Sequence, residues 1–293
     1  MMMFLTRLRT TALIIMMCFL LSGCFVIRQN LFANNQTEMT YPGKKIDASG
    51  QMVSADLEFE GYTKVIVEGT FDIESVNASS RDKTIRVIGD KAFVTHIQGQ
   101  QQGDTLYIRL DPQFDYVINK PVILQIPIRN LSYLKFKGLG NIILENYRSP
   151  CLSVDIQGKV NAWIKGNLIL ASLNFDSDGK LVMYWINSTC VRINAGKKST
   201  LLLGGLADNL EVNSKDCAYV DAKFLRAKTA HIHSKDCSRV DVSVSNNLNA
   251  IAEDNSNIYY YHQRPKFMGN YMHGSGSIMD MHDVYAPYPK ILR

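Results

Sequence analysis

Past residue 50 the 293-residue chain lacks any convincing window of helical periodicity, which leaves an architecture that is nearly all β. It also lacks the fixed leucine and asparagine pattern, and the helical side, of a leucine-rich repeat. No block of like charge is present, so there is no electrostatic footprint for a nucleic acid. No apolar run is comfortable as a membrane span, because even Ala12 to Leu20, with Leu21 after it, is too short. Calcium-binding nonapeptides of the Gly-Gly-x-Gly-x-Asp type are absent, and Gly138-Leu139-Gly140 is too short, and wrongly placed between strands, for a dinucleotide fingerprint.

What the chain does contain is a period. Ser-Lys-Asp-Cys-Ala-Tyr-Val-Asp at Ser214–Asp221 returns as Ser-Lys-Asp-Cys-Ser-Arg-Val-Asp at Ser234–Asp241, twenty residues on. An apolar anchor recurs at Ile142, Ala162, Val182, Leu202, Val220, Val240, Ile258 and Ile278, in steps of 18 or 20. Four positions before each stands a turn residue, among them Gly138, Lys198, Asp216, Asp236, Asp254 and Gly274. Around the anchors, and in a second stretch such as Val191-Ile193 or Leu210-Val212, apolar and polar residues alternate as in half-buried strands. Several short strands per period describe a β-helix whose rungs of about 18 to 20 residues stack about 4.8 Å apart and share one core.

The ends read differently. Arg7 and Arg9, a short apolar segment and a small-residue site form a signal peptide over residues 1–23. Its close, Leu21-Ser22-Gly23-Cys24, looks like a bacterial lipobox, which implies a diacylglycerol on the Cys24 sulfur and attachment to a membrane. Phe25, rather than Asp, after that cysteine favours the outer membrane. Residues 24–55 are polar and aperiodic and read as a flexible tether; residues 282–293, with Ala286-Pro287-Tyr288-Pro289, read as a tail. Losing Arg7 and Arg9 with the leader lowers the formal charge from +5 to +3. In an oxidising compartment Cys217 and Cys237, in phase on successive rungs and about 5 Å apart, are a possible disulfide. Cys151 and Cys190 also share a phase, but a rung lies between them, so they should not bond each other.

Residues 56–131 hold strands and tight turns in a looser register than residues 132–281, either a first solenoid section or a separate sheet. The order and spacing of Phe59-Glu60-Gly61-Tyr62-Thr63-Lys64-Val65-Ile66-Val67, Gly103-Asp104-Thr105-Leu106-Tyr107-Ile108, Gly138-Leu139-Gly140-Asn141-Ile142, Leu248-Asn249-Ala250 and Gly274-Ser275-Gly276-Ser277-Ile278 resemble the auto-transporter adhesin head GIN domain family. The resemblance spans about Leu57 to Met281 and implies a right-handed parallel β-helix and an adhesin role. Departures include Ser-Lys-Asp-Cys and Lys197-Lys198-Ser199 where the family favours Gly-Ser-Gly turns, and Tyr261-His262-Gln263-Arg264-Pro265 without the family's glycine.

Chemistry is hard to place on this pattern. His231 and His233 share an outward face, yet nothing supplies a third metal ligand at a diagnostic spacing. The row Asp216, Asp236 and Asp254 resembles the carboxylates of β-helix polysaccharide lyases, but Lys215 and Lys235 stand beside it and no acid and base can be given roles. Tyr259-Tyr260-Tyr261 puts at least one aromatic outward, a contact for a glycan or protein or else a ladder packed on the next rung. The sequence thus points to a lipid-anchored envelope protein, without cofactor, metal or catalytic residues, whose rigid β-helix binds an envelope or host protein or glycan. The alternatives are a β-helix carbohydrate-active enzyme and a purely structural lipoprotein.

Overall fold

The computed structural model describes residues 43–76, 84–127 and 131–284. The lipobox and Cys24 lie outside them, as do residues 285–293 of the expected tail. Elements run β1 (Lys44–Asp47), β2 (Met52–Glu58), β3 (Lys64–Val76), β4 (Thr84–Asp90), α1 (Lys91–Val94), β5 (Ile97–Gln102), β6 (Thr105–Leu110), β7 (Phe114–Val117) and β8 (Val122–Pro127). There follow β9 (Tyr133–Ser177), β10 (Lys180–Gly196), β11 (Thr200–Ser214), β12 (Tyr219–Ser234), β13 (Arg239–Ala252), β14 (Asn257–Tyr261), β15 (Phe267–Met272) and β16 (Ser277–Met281). From β9 onward each rung pairs in parallel with the next, giving a β-solenoid of about seven turns.

Each ladder follows from the alternation. Ala162, Leu181, Leu201, Val220, Val240, Ile258 and Ile278 are successive partners, and from Ala162 to Ile258 all are buried. On a second face Leu173, Ile193, Val212, Ile232 and Ala250 stack in the same way. Two expected anchors are therefore displaced by one residue: Leu181 and Leu201 occupy the inner ladder, while Val182 and Leu202 pair with each other on the outer side. For Leu201 the preceding turn accounts for this, since Lys197 rather than Lys198 takes the left-handed conformation (φ 53°) four residues ahead of it. Leu201-Leu202-Leu203 is apolar throughout, so composition alone could not choose between the two registers.

The looser N-terminal part belongs to the same stack. Strand β3 lies between β9 on one side and β6 with β8 on the other, so the chain lays down a middle rung, builds the end below it, then returns above. Antiparallel β2, β4 and β5 flank that end, a feature the period could not show. Two strands also lie within the segment read as tether. In β2, Val53, Ala55 and Leu57 are half-buried in alternation, while the short β1 pairs with β7, so the described body starts near Lys44. Their second faces are solvated and, Met52 apart, polar, which is why the stretch resembled a linker.

Two carboxylates fasten the ends of this body. Despite desolvation of its carboxyl, Asp90 is held at about 2, below its ordinary 3.8, by hydrogen bonds from the Ser49 hydroxyl and the backbone N–H groups of Ser49, Ala92 and Gly50. Asp280 is likewise held at about 2, against desolvation, by the His282 backbone N–H and ring and by Arg264. A depressed folded value means that stability present above pH about 4 is lost as pH falls toward 2. Hydrogen exchange corrected for intrinsic rate should therefore quicken at Ser49–Gln51 and at His282 over that window while the central rungs stay protected. In Asp90→Asn the pH dependence at Ser49–Gln51 should vanish; its persistence would refute the assignment.

Candidate functional site

Along one corner of the solenoid the rungs fail to match residue for residue. Between Met183 and Ile186, Tyr184 and Trp185 face a single residue, Gly204, of the next rung. Between Ala222 and Arg226 three residues have no counterpart between Val242 and Ser243. Such bulges re-aim side chains. Here they line up from rung to rung and open a groove of about 960 Å³ between Trp185, Phe224 and His262, continuous through Asn187, Leu206, Arg226 and Gln263 with a second of about 640 Å³.

Glycine makes the groove possible. Tyr184 lies over Gly204, where a Cβ would come within 2.6 Å of its ring. Gly205 runs at φ 140°, and a Cβ there would sit 2.6 Å from the Ile186 backbone nitrogen. Trp185 itself has φ 67° and is 65% exposed, and His262 has φ 69°. Left-handed backbone under a bulky side chain costs about 1–3 kcal/mol and gathers at functional sites. Below the rim, the outward row Asn187, Leu206, Arg226 and Ser243 crosses four consecutive rungs as direct register partners. Ser243 is buried, and its hydroxyl has no hydrogen-bond partner among the described residues.

The wall beside the groove is a polar network. Lys223 Nζ lies 2.7 Å from Asp221 and over the rings of Phe224 and Tyr261, which fixes it in place. Asp241 is fully buried and receives Arg239 Nε at 2.8 Å, Arg239 Nη2 at 2.9 Å and the Tyr219 hydroxyl at 3.0 Å. Arg239 stacks over Tyr259 and Tyr219, with 4.5 and 5.3 Å to the ring centroids. Burial, together with Asp241 and Asp221, pushes the Tyr219 phenol well above its ordinary range, while the bond to Asp241 raises the Arg239 guanidinium. Tyr259 is thus the outward aromatic, whereas Tyr260 and Tyr261 are buried.

The residues singled out from the sequence lie elsewhere. Cys217 and Cys237 form a disulfide with Cα atoms 4.4 Å apart, and Cys151 and Cys190 lie exposed. The aspartate row is a turn device: Asp216, Asp236 and Asp254 are all left-handed, and the Asp236 and Asp254 carboxylates accept N–H groups from Asp216 and Asp236 at 3.1 and 3.4 Å. His233 pairs with Glu253 at 3.0 Å and His231 contacts Asn249 at 3.2 Å; among the described residues no cluster suited to a metal forms. The groove was missed because its members are consecutive only across rungs. Its one trace in the sequence is Tyr184-Trp185, where the alternation skips.

Residues 61–263 match the family described as "Putative auto-transporter adhesin, head GIN domain". The chain belongs to this family. Among solved structures, the head GIN chain resembles a protein of Parabacteroides distasonis described as a putative lipid binding protein, at 18% identity and TM-score 0.69, covering 81% of this chain and 99% of that one. A putative adhesin of Parabacteroides merdae matches at 14% identity and TM-score 0.68, covering 81% and 99%. A putative adhesin of Bacteroides fragilis matches at 16% and 0.60, covering 80% and 100%. At such identities the likeness is one of fold. No curated protein matches the chain.

Proposed function

We propose that this head GIN protein is a lipid-anchored cell-envelope component that binds an external glycan or protein in its corner groove and performs no chemistry of its own. The observation that carries the reading is Trp185: a large apolar ring held out at the mouth of a concave site, on a left-handed backbone that the rungs beneath it stabilise. Open concavity with a few polar groups is what recognition needs. Acid–base catalysis would need a second titratable group placed opposite a first. The groove's carboxylate, Asp208, is 2.7 Å from Lys228 and committed to it. Membership of an adhesin family supports the same direction.

Anchoring rests on Leu21-Ser22-Gly23-Cys24, and two or three acyl chains would hold the protein stably. The segment after Cys24 would carry the solenoid away from an outer membrane. Among the described residues no helix is long and apolar enough to cross a membrane.

Two experiments test this. Labelled palmitate should enter the wild type and not Cys24→Ala, and protease added to intact cells should reach the wild type; a label that survives Cys24→Ala removes the anchor. The soluble chain from Phe25 should bind members of a glycan and envelope-protein array and lose them in Trp185→Ala at unchanged circular dichroism. Identical binding by the two chains would remove the groove from the function.

A further inference from the structure

Resting on that reading of the groove, we infer that its ligand is an acidic glycan, one pyranose of which lays a ring face on Trp185 while the carboxylate of a sugar further along the chain is set against Arg226, two rungs on. The charge pattern argues this first. Three cations line the two continuous grooves as lysine or arginine, and two are neutralised: Lys223 by Asp221 and Lys228 by Asp208, each at 2.7 Å. The side chain of Arg226, exposed and shared by both grooves, has neither an ion pair nor a hydrogen bond among the described residues. A guanidinium offers a planar fork matched to a carboxylate, and in a partly enclosed groove that match selects for an anion.

The rest of the lining argues for a saccharide. The rings of Trp185 and Phe224 give flat apolar faces, and the amides of Asn167, Asn187 and Gln263 give donors and acceptors for hydroxyls. Asn187, Leu206 and Arg226 succeed one another at the rung spacing of about 4.8 Å, close to the length of one pyranose unit, so a chain laid across the rungs meets them in turn. At the end of this row, next to Arg226, the buried Ser243 hydroxyl has no hydrogen-bond partner among the described residues. A lipid would need a longer apolar lining, and a nucleic acid a continuous run of unpaired cations.

The test uses the soluble chain from Phe25 and reads affinity by calorimetry. Probes are oligogalacturonate, the same oligomer methyl-esterified, sialyllactose and lactose, so that uronate and sialate sources are separated and each acid has a neutral partner. One acid should bind about 10- to 100-fold more tightly than its neutral partner, the worth of a charged hydrogen bond. Arg226→Gln should bring acid and neutral forms together, Arg226→Lys should restore part of the preference, and Trp185→Ala should weaken both forms. Equal affinity for acid and neutral forms, with loss in Trp185→Ala, overturns the acidic ligand and leaves the groove reading standing. Should neither acid bind, the inference fails. Binding indifferent to both Trp185→Ala and Arg226→Gln would overturn both readings.

Discussion

Gly138→Val should abolish the stacking of β9 on β3 and with it most of the soluble yield. Gly69 and Gly138 are register partners at φ 129° and 153°, a region L side chains rarely adopt, and Gly158 lies against Gly138 at φ 114°. A Cβ on Gly138 would stand 2.7 Å from the Gly69 carbonyl carbon, and backbone cannot swing aside as a flexible side chain can. The strain alone is about 1–3 kcal/mol. Relieving the overlap also costs the ladder that joins Lys64–Glu74 to Tyr133–Ile143, so the total should exceed about 4 kcal/mol. In a solenoid held by nearest-neighbour contacts, one failed interface separates the parts on either side. Leu139→Ser, at a neighbouring residue that is 50% exposed, should stay within about 0.5 kcal/mol. Thermal melting by circular dichroism reads both; a Gly138→Val chain that expresses and melts like the wild type would contradict the stated packing.

Arg239→Leu should be the second large loss, about 3–5 kcal/mol, because it leaves the Asp241 carboxylate buried without its cation. The aromatic stack on Tyr259 and Tyr219 goes with it. Most of that cost is the stranded charge rather than the worth of the pair, so the double variant Arg239→Leu with Asp241→Leu should recover most of it. Urea denaturation of the singles and the double gives the coupling directly. If the double variant is as unstable as the sum of the singles, the network is not the coupled unit described here. The network matters to function because Tyr261 at its edge also lies under Lys223, the cation that braces the groove wall.

The solenoid was legible wherever turn chemistry and strand alternation agreed. Ser-Lys-Asp-Cys twice over fixed two rungs, and each aspartate there is left-handed, joined in the first turn by Cys217. Where three leucines follow Lys197-Lys198, the pattern carries no phase information and the register was misjudged by one. The antiparallel end was hidden for another reason: β3 has neighbours from both earlier and later chain, and a period read along the sequence cannot show a strand used from two sides. The groove was the least legible part. Trp185, Arg226 and His262 come together only through bulges in successive rungs, and a bulge is visible only against its partner strand. The aspartates and histidines drew attention as chemistry, yet their partners are one another's backbone and neighbouring side chains.

The chain has two tryptophans, and Trp163 can be replaced by phenylalanine so that Trp185 alone reports. Emission of the Trp163→Phe chain should be titrated with a saccharide that the array shows to bind. A ligand seated in the groove shields the 65% exposed indole and should shift its emission to the blue, saturating with the affinity measured by calorimetry. Calorimetric binding with Trp185 emission unchanged would contradict the claim that this corner of the solenoid is where the protein binds.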